Sequence, residues 1–570
     1  MKKWKSLLAY AAVLWLGHSS VEGATIVYVP QDDRPVSLSY TVTTAEYAGY
    51  KVLTPPVHLI SGSNFKGYPD EIWTWLEGNI YQADAVVLST DTLIYGGLVD
   101  SRKHTVSLNT LERRISRLNQ LRNKTTAPIY GFGTVMRSPR ASGSGTEPAY
   151  YASFGPNIFR IAALQDKQDS EGLTQSEQTE LFSLMATVPV EYLQDWFERR
   201  QKNMMVNRGL IDAARNHVFS YFALGHDDTS VRSQSAMEGR YLRNYSKGIP
   251  ETEYGSFPGA DQLGLLLIAR AHIDRNQEAP TFSMIYPLGA GESTIPRYED
   301  QTVGITIKEH ISAVGGKVIS SGRPDILLAV DTPLATTTGE AEVFDNFSMP
   351  SPAIKSFVDK IEEAIQMGVT VGVADVAFSN GANNLLMGEI ERRKLIYKVG
   401  TYSGWNTASN SVGYAIAQAI LSKHMDPEAH RLMLAQQYLD NWGYQANVRK
   451  EAYRMQESIR LDNVKYAGEI TTPIREKVLE EIQVFGEKHL GLDPRQISAT
   501  LPWNRLFETE IKVYDKPTVP NQREVRLKRE AEEKARQEKL KKEAEDKKKA
   551  EDTAKKGAET NGDATKAPTN

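Results

Sequence analysis

His226, Asp227 and Asp228 form the densest group of reactive side chains in the sequence, and an apolar run, residues 219–225 (FSYFALG), leads straight into it. Adjacent carboxylates repel, so one tends to keep its proton near neutrality while the other stays charged. That division of labour suits cleavage of a glycosidic bond: one group donates a proton and the other stabilises an oxocarbenium-like centre. His226 is placed to tune the pair or to contact a ligand. Asp228 is also placed to cap the helix that follows, which would leave Asp227 as the working group.

The same arrangement recurs along the chain. Residues 25–30 (TIVYVP) run into Gln31, Asp32, Asp33, Arg34 and Pro35, and residues 85–90 (AVVLST) run into Asp91 with Tyr95 close behind. Residues 326–330 meet Asp331, and residues 371–374 meet Asp375, followed by Asn380, Asn383 and Asn384. Arg34 can hold a neighbouring carboxylate ionised, although the same residues would serve as a structural turn. Arg137 follows another apolar run and is suited to clamp an anionic group. Asp261 opens a helix. Residues 402–413 (YSGWNTASNSVG) offer Trp405 to stack on a sugar face and Asn406 and Asn410 to bond its hydroxyls at a helix N-terminus with free N–H groups.

The expected catalytic set is therefore Asp227, Asp228, Asp32 and Asp375. The expected binding set is Asp33, Arg34, Asp91, Tyr95, Arg137, His226, Asp261, Asn380, Asn383, Trp405, Asn406 and Asn410. No cofactor is expected. The ten histidines are scattered without an HExxH or a closely spaced pair, so no resident metal site is assigned. A divalent cation among the aspartates is kept open as a second reading, a hydrolase using Asp32, His226, Asp227 and Asp375. A third reading is an extracellular binding protein without catalysis. Neither a GxSxG elbow nor a phosphate loop is present.

Side chains this far apart in sequence need a scaffold that brings strand ends together. From about residue 24 to 425 strand-like and helix-like pieces alternate, which predicts an α/β fold with a mostly parallel sheet. Of ten strand candidates, the eight longer ones would fit a distorted (β/α) barrel and all ten would suit two doubly wound lobes, and both folds place a binding crevice at the carboxyl ends. Residues 48–52 (AGYKV) before Asp91 and residues 314–318 (VGGKV) before Asp331 echo one another. The echo fits two related half-domains, and it also fits the ordinary glycine stop of a helix. Residues 171–215 read as a helical insertion beside the cleft and residues 426–520 as an all-α C-terminal region. Residues 521–570 read as a Lys/Glu-rich helix or disordered tail, too poor in apolar residues to pack.

Composition narrows the setting. The 570 residues are 40% hydrophobic and 24% charged, with a net charge of −4 that gives no reason to expect nucleic acid. Lys2, Lys3 and Lys5 precede the apolar residues 7–16 and a short polar stretch, the order of a secretory signal peptide over residues 1–23. Export to the medium or the cell surface, without stable membrane insertion, is the expectation. A glycan or cell-wall-derived molecule is the expected substrate. Cysteine is absent, which removes disulfides, thiolate nucleophiles and Cys-ligated metals.

Several of these blocks together resemble a family of bacterial proteins catalogued as domain of unknown function 4127. They are residues 32–35 (DDRP), 91–97 with Arg102, 225–228, 259–270, 375–383, 402–413, 438–449 (YLDNWGYQANVR) and 502–508 (PWNRLFE). The resemblance spans roughly residues 24–507 and implies that these blocks belong to one site. It implies no particular chemistry.

Overall fold

The computed structural model describes residues 23–562 apart from 64, 141–144, 342–345, 348, 350 and 463–469. The leader expected over residues 1–23 lies outside the described residues except for its last position, as does the end of the tail.

Two open parallel sheets organise the first compact unit, which runs to Asn447. The first contains β1 (Thr25–Val29), β2 (Lys51–Leu53), β3 (Ala85–Ser89), β4 (Ile129–Val135), β5 (Tyr221–His226) and β6 (Tyr254–Pro258), in the order β2-β1-β3-β4-β5-β6. Every residue of β3, β4 and β5 is buried. That explains their unbroken apolar character, since a parallel sheet is covered by helices on both faces. The second contains β7 (Thr281–Ile285), β8 (Lys317–Val318) and β9 (Ile326–Asp331), then, beyond the two-residue β10 (Gly339–Glu340), β11 (Thr370–Asp375). After β12 (Phe378–Ser379), which pairs only with β10, it is completed by β13 (Thr401–Ser403), giving β13-β11-β9-β7-β8.

These are two doubly wound lobes, not a barrel. Each sheet begins alike: its first strand lies between the second and third, β1 between β2 and β3, β7 between β8 and β9. Connections therefore leave in opposite directions on either side of β1 and of β7, which opens a crevice at the carboxyl ends there. The echo in the sequence has this structural counterpart. Gly49 and Gly315, with φ of 91° and 80°, end the helices that lead into β2 and β8.

Two helices buried along nearly their whole length, Leu263–Asn276 and Ala408–Ser422, pack against each other. β6 was not anticipated, because YGSFP carries a glycine, a serine and a proline and lacks β-branched residues. β13 is short and begins only at Thr401. The insertion consists of the helices Gln175–Thr187 and Val190–Arg215; Arg200 of the latter donates to the carbonyls of Met136 and Arg137 at the end of β4.

The first unit continues past the change of composition near residue 426, because the π-helix Tyr438–Val448 is bonded to the second sheet's loops. Asn441 accepts from the Gly404 N–H at 2.8 Å, and Trp442 donates to Asn384 at 2.9 Å. The second unit, from Val448, is mainly helical, but the expected all-α region also holds one antiparallel pair, β14 (Ile497–Thr500) and β15 (Glu510–Val513). The tail forms a helix, Gln522–Gly562. Its first turns dock on the helix Thr472–Phe485 through Arg526 with Glu480 and Arg529 with Glu476; further along, its described side chains are exposed. Among the described residues no helix is long and apolar enough to cross a membrane.

Candidate active site

The carboxyl ends of β1, β3, β4 and β5 deliver a buried network of ions. Asp32, fully buried after β1, accepts from Arg34 Nε at 2.9 Å. The same guanidinium reaches Asp261 beyond β6, with Nη2 2.5 Å from Oδ1. Gln31 donates to Asp261 at 2.7 Å, and Asn406, from beyond β13 of the other sheet, donates to it as well. Asn410 completes this corner by accepting the Asp261 N–H at 3.1 Å. Asp32, Arg34, Asp261, Asn406 and Asn410 thus meet across the two lobes.

A second group lies at the ends of β4 and β5. Asp227 pairs with Arg102 at 2.6 Å, while Asp228 turns away, at φ 28°, to pair with Arg137 at 2.8 Å. Arg137 also donates to Glu147 at 2.6 Å. Burial raises the Asp227 pKa, Arg102 opposes the rise and the Asp228 charge adds to it. Asp227 feels the Asp261 charge and Asp91 feels that of Asp227, so the two groups share one electrostatic site. Asp91 accepts from Thr134 at 2.6 Å and is pushed up to about 7, chiefly by burial. A helix dipole contributes little there, because the helix Thr90–Ile94 is only five residues long.

The loop before residue 301 covers this corner: the Thr229 N–H donates to the Tyr298 carbonyl at 2.8 Å. It brings in Glu299 and Asp300. Glu299 accepts the Ser409 N–H at 2.6 Å through Oε1, while Oε2 is buried without a hydrogen-bond partner. Burial pushes Glu299 up to about 8, and the charges of Asp300 and Asp228 add to it. His226 is bonded to Ser256 at 2.9 Å and lies 3.6 Å from Asp300. Burial works against the Asp300 anion, but the imidazole holds its pKa below the ordinary value.

Asp375 sits apart from these aspartates, beside Asp331 on the neighbouring strand and in register with it. Both are fully buried. Asn383 donates to Asp331 at 2.8 Å, and its own N–H and the Tyr402 hydroxyl donate to Asp375 at 2.7 and 2.8 Å. Burial drives both carboxyls upward, Asp375 to about 7. Such a pair shares a proton. Asn380 connects this lobe to the crevice: its N–H donates to the Asn406 carbonyl at 2.9 Å, and its side chain donates to Glu340 at 2.8 Å.

Of the remaining expected binders, Asp33 is half-buried and its N–H donates to the Ser61 carbonyl. Tyr95 is buried, with its ring tilted against that of His104. Trp405, expected to stack on a sugar, is only 7% exposed, so its ring belongs to the interior. The set Asp32, His226, Asp227 and Asp375 does not gather as metal ligands among the described residues; each is held by a different partner.

Sequence reasoning named Arg102, Asp331 and the 438–449 block without giving them a role, and passed over Glu147 and Glu299. Glu147 and Glu299 carry no local signal beyond charge in a loop. Asp331 did carry one, since it ends an apolar run just as Asp375 does.

Fold and site together define a two-lobed α/β protein with a charged crevice at the carboxyl ends of its parallel strands. A family model described as "Protein of unknown function (DUF4127)" matches residues 26–512, and the chain belongs to that family. No curated protein matches the chain.

Proposed function

We propose that this protein is an exported carbohydrate-active hydrolase that cleaves glycosidic bonds in the crevice around Asp227 and Asp228. The observation that carries the reading is two acidic side chains beside one another in this corner, Asp228 just beyond β5 and Glu299 on the loop that covers it, whose carboxyl also feels the Asp228 charge. Glu299, raised to about 8, keeps its proton at neutral pH. Asp228, ion-paired with Arg137, keeps 29% of its side chain exposed. Paired acids of this kind divide acid and charge-stabilising work in glycoside cleavage.

In this mechanism Glu299 transfers its proton to the departing glycosidic oxygen. Asp228 stabilises the positive charge left on the sugar or deprotonates the attacking water. Asp227, fixed by Arg102, tunes both. Arg137, Asn380 and Asn406 bond the sugar hydroxyls. Export is supported by the basic and apolar order of residues 2–16.

The test is a panel of aryl glycosides and cell-wall glycans, with circular dichroism on every variant. Asp227→Asn, Asp228→Asn and Glu299→Gln should each lower turnover by about 10²–10⁴-fold while the fold is kept. Because the acid must be protonated, activity should fall as pH rises through about 8. Near-normal rates in all three variants on a substrate the parent cleaves would overturn the assignment.

A further inference from the structure

The two buried helices that carry the crevice at their heads meet again at their tails. Asp261 stands at the start of Leu263–Asn276, and Asn406 and Asn410 at the start of Ala408–Ser422. About 14 Å further along the first helix, at 1.5 Å per residue, lies His272. His424 follows the end of the second. Gln277, in the left-handed conformation at φ 54°, turns the chain so that Glu278 comes back over the same point.

His272 Nε2 and His424 Nε2 lie 3.5 and 3.4 Å from the same oxygen, Oε1 of Glu278. The three ligand atoms are all within 4.8 Å of one another. Four-coordinate zinc, with bonds of about 2.0–2.1 Å, needs ligand atoms about 3.3–3.4 Å apart along each tetrahedral edge. Two of the three edges already have that length.

The orientation of His272 fits as well. Its Nδ1 is bonded to the Tyr50 hydroxyl at 2.8 Å, which turns Nε2 toward the cluster. A second partner on the far ring nitrogen is the usual support of a ligating histidine. The carboxyl ends of both helices point here, and their dipoles favour a cation. The Asn276 amide, 3.2 Å from His272 Nε2, would have to swing aside.

We infer that His272, Glu278 and His424 form a divalent transition-metal site, suited to Zn²⁺, that clamps the tails of the two helices bearing the crevice residues. Two imidazoles and one carboxylate suit zinc rather than Ca²⁺ or Mg²⁺, which take oxygen ligands. The fourth position is left for water. The site is separate from the crevice and acts on it by fixing how the two helices lie against each other.

The test uses mature protein purified without a histidine tag, stripped with chelator and titrated with Zn²⁺ against a chromophoric competitor. Bound metal is counted by mass spectrometry. One zinc per chain is expected, with a rise in melting temperature on binding. Glu278→Gln and His424→Gln, both at half-buried positions, should each weaken binding by at least about tenfold. Tyr50→Phe should weaken it by about 10–100-fold through loss of support to His272. Co²⁺ in place of zinc should give the strong visible absorption of a four-coordinate site. A parent that binds zinc no more tightly than the Glu278→Gln/His424→Gln double variant overturns the proposal, as does melting that zinc leaves unmoved.

Discussion

Replacing Asp331 by asparagine isolates the energetic consequence of burying two carboxyls side by side. Asp331 and Asp375 face each other on β9 and β11, fully buried, with no guanidinium or ammonium among their hydrogen-bond donors. Asp375 titrates at about 7 instead of 3.8 because burial disfavours its anion. Below 3.8 the folded and unfolded chains both carry the proton. Between 3.8 and about 7 the folded chain still holds a proton that the unfolded chain has lost. The native state then binds more protons, so stability falls as pH rises through that window. A displacement from 3.8 to about 7 corresponds to about 4 kcal/mol, an upper bound because an ionised pair would relax or admit water.

In Asp331→Asn the new amide N–H can donate to Asp375 where the shared proton lay, and its carbonyl can still accept from Asn383. Asp375 stays buried in the variant, but Asp331, whose own carboxyl is raised by burial and by the Asp375 charge, no longer has to hold a proton, so urea denaturation between pH 4.5 and 8.5 should show the variant gaining about 2–4 kcal/mol on the parent as pH rises. Asp91, Glu299 and Glu309 are also raised, but they contribute equally to both proteins and cancel in the difference. Parallel stability profiles, or a variant less stable than the parent at pH 8, would refute the proton-sharing pair.

Arg34→Met leaves Asp32 and Asp261 buried without their shared guanidinium, and should destabilise the first unit by about 3–5 kcal/mol in equilibrium unfolding. A loss below about 1 kcal/mol would mean that water or rearrangement replaces the ion pair. Truncation after Gln522 should lower the melting temperature of the second unit, because it removes Arg526 and Arg529 from Glu480 and Glu476. Truncation after Lys534 should leave that temperature where it is. N-terminal sequencing of secreted protein should begin near Ala24, and recovery only in the cytoplasm with Met1 in place would count against export.

Strand ends were readable because the signal is local. A run such as AVVLS or ILLAVD is apolar throughout only when both faces of a strand are covered, and the first polar residue then marks the carboxyl edge. That rule placed Asp32, Asp91, Asp227, Asp331 and Asp375 at sheet edges from sequence alone. It failed at β6, where Gly255 and Pro258 hide the strand; pairing with β5 supplies what local preference lacks.

The sequence by itself thus determined which carboxylates stand at strand ends and that helices alternate with parallel strands. Only the tertiary structure decided their partners. Arg34 meets Asp261 across 227 residues, Arg102 meets Asp227 across 125, and Asp331 meets Asp375 because β9 and β11 are neighbours in the sheet. Strand order also split the aspartates into a crevice group and a buried pair, a division invisible in the runs that precede them. Apolar periodicity reports whether a segment is buried. It carries no record of which distant segment lies beside it, and that neighbour decides whether a carboxyl is ionised, protonated or paired.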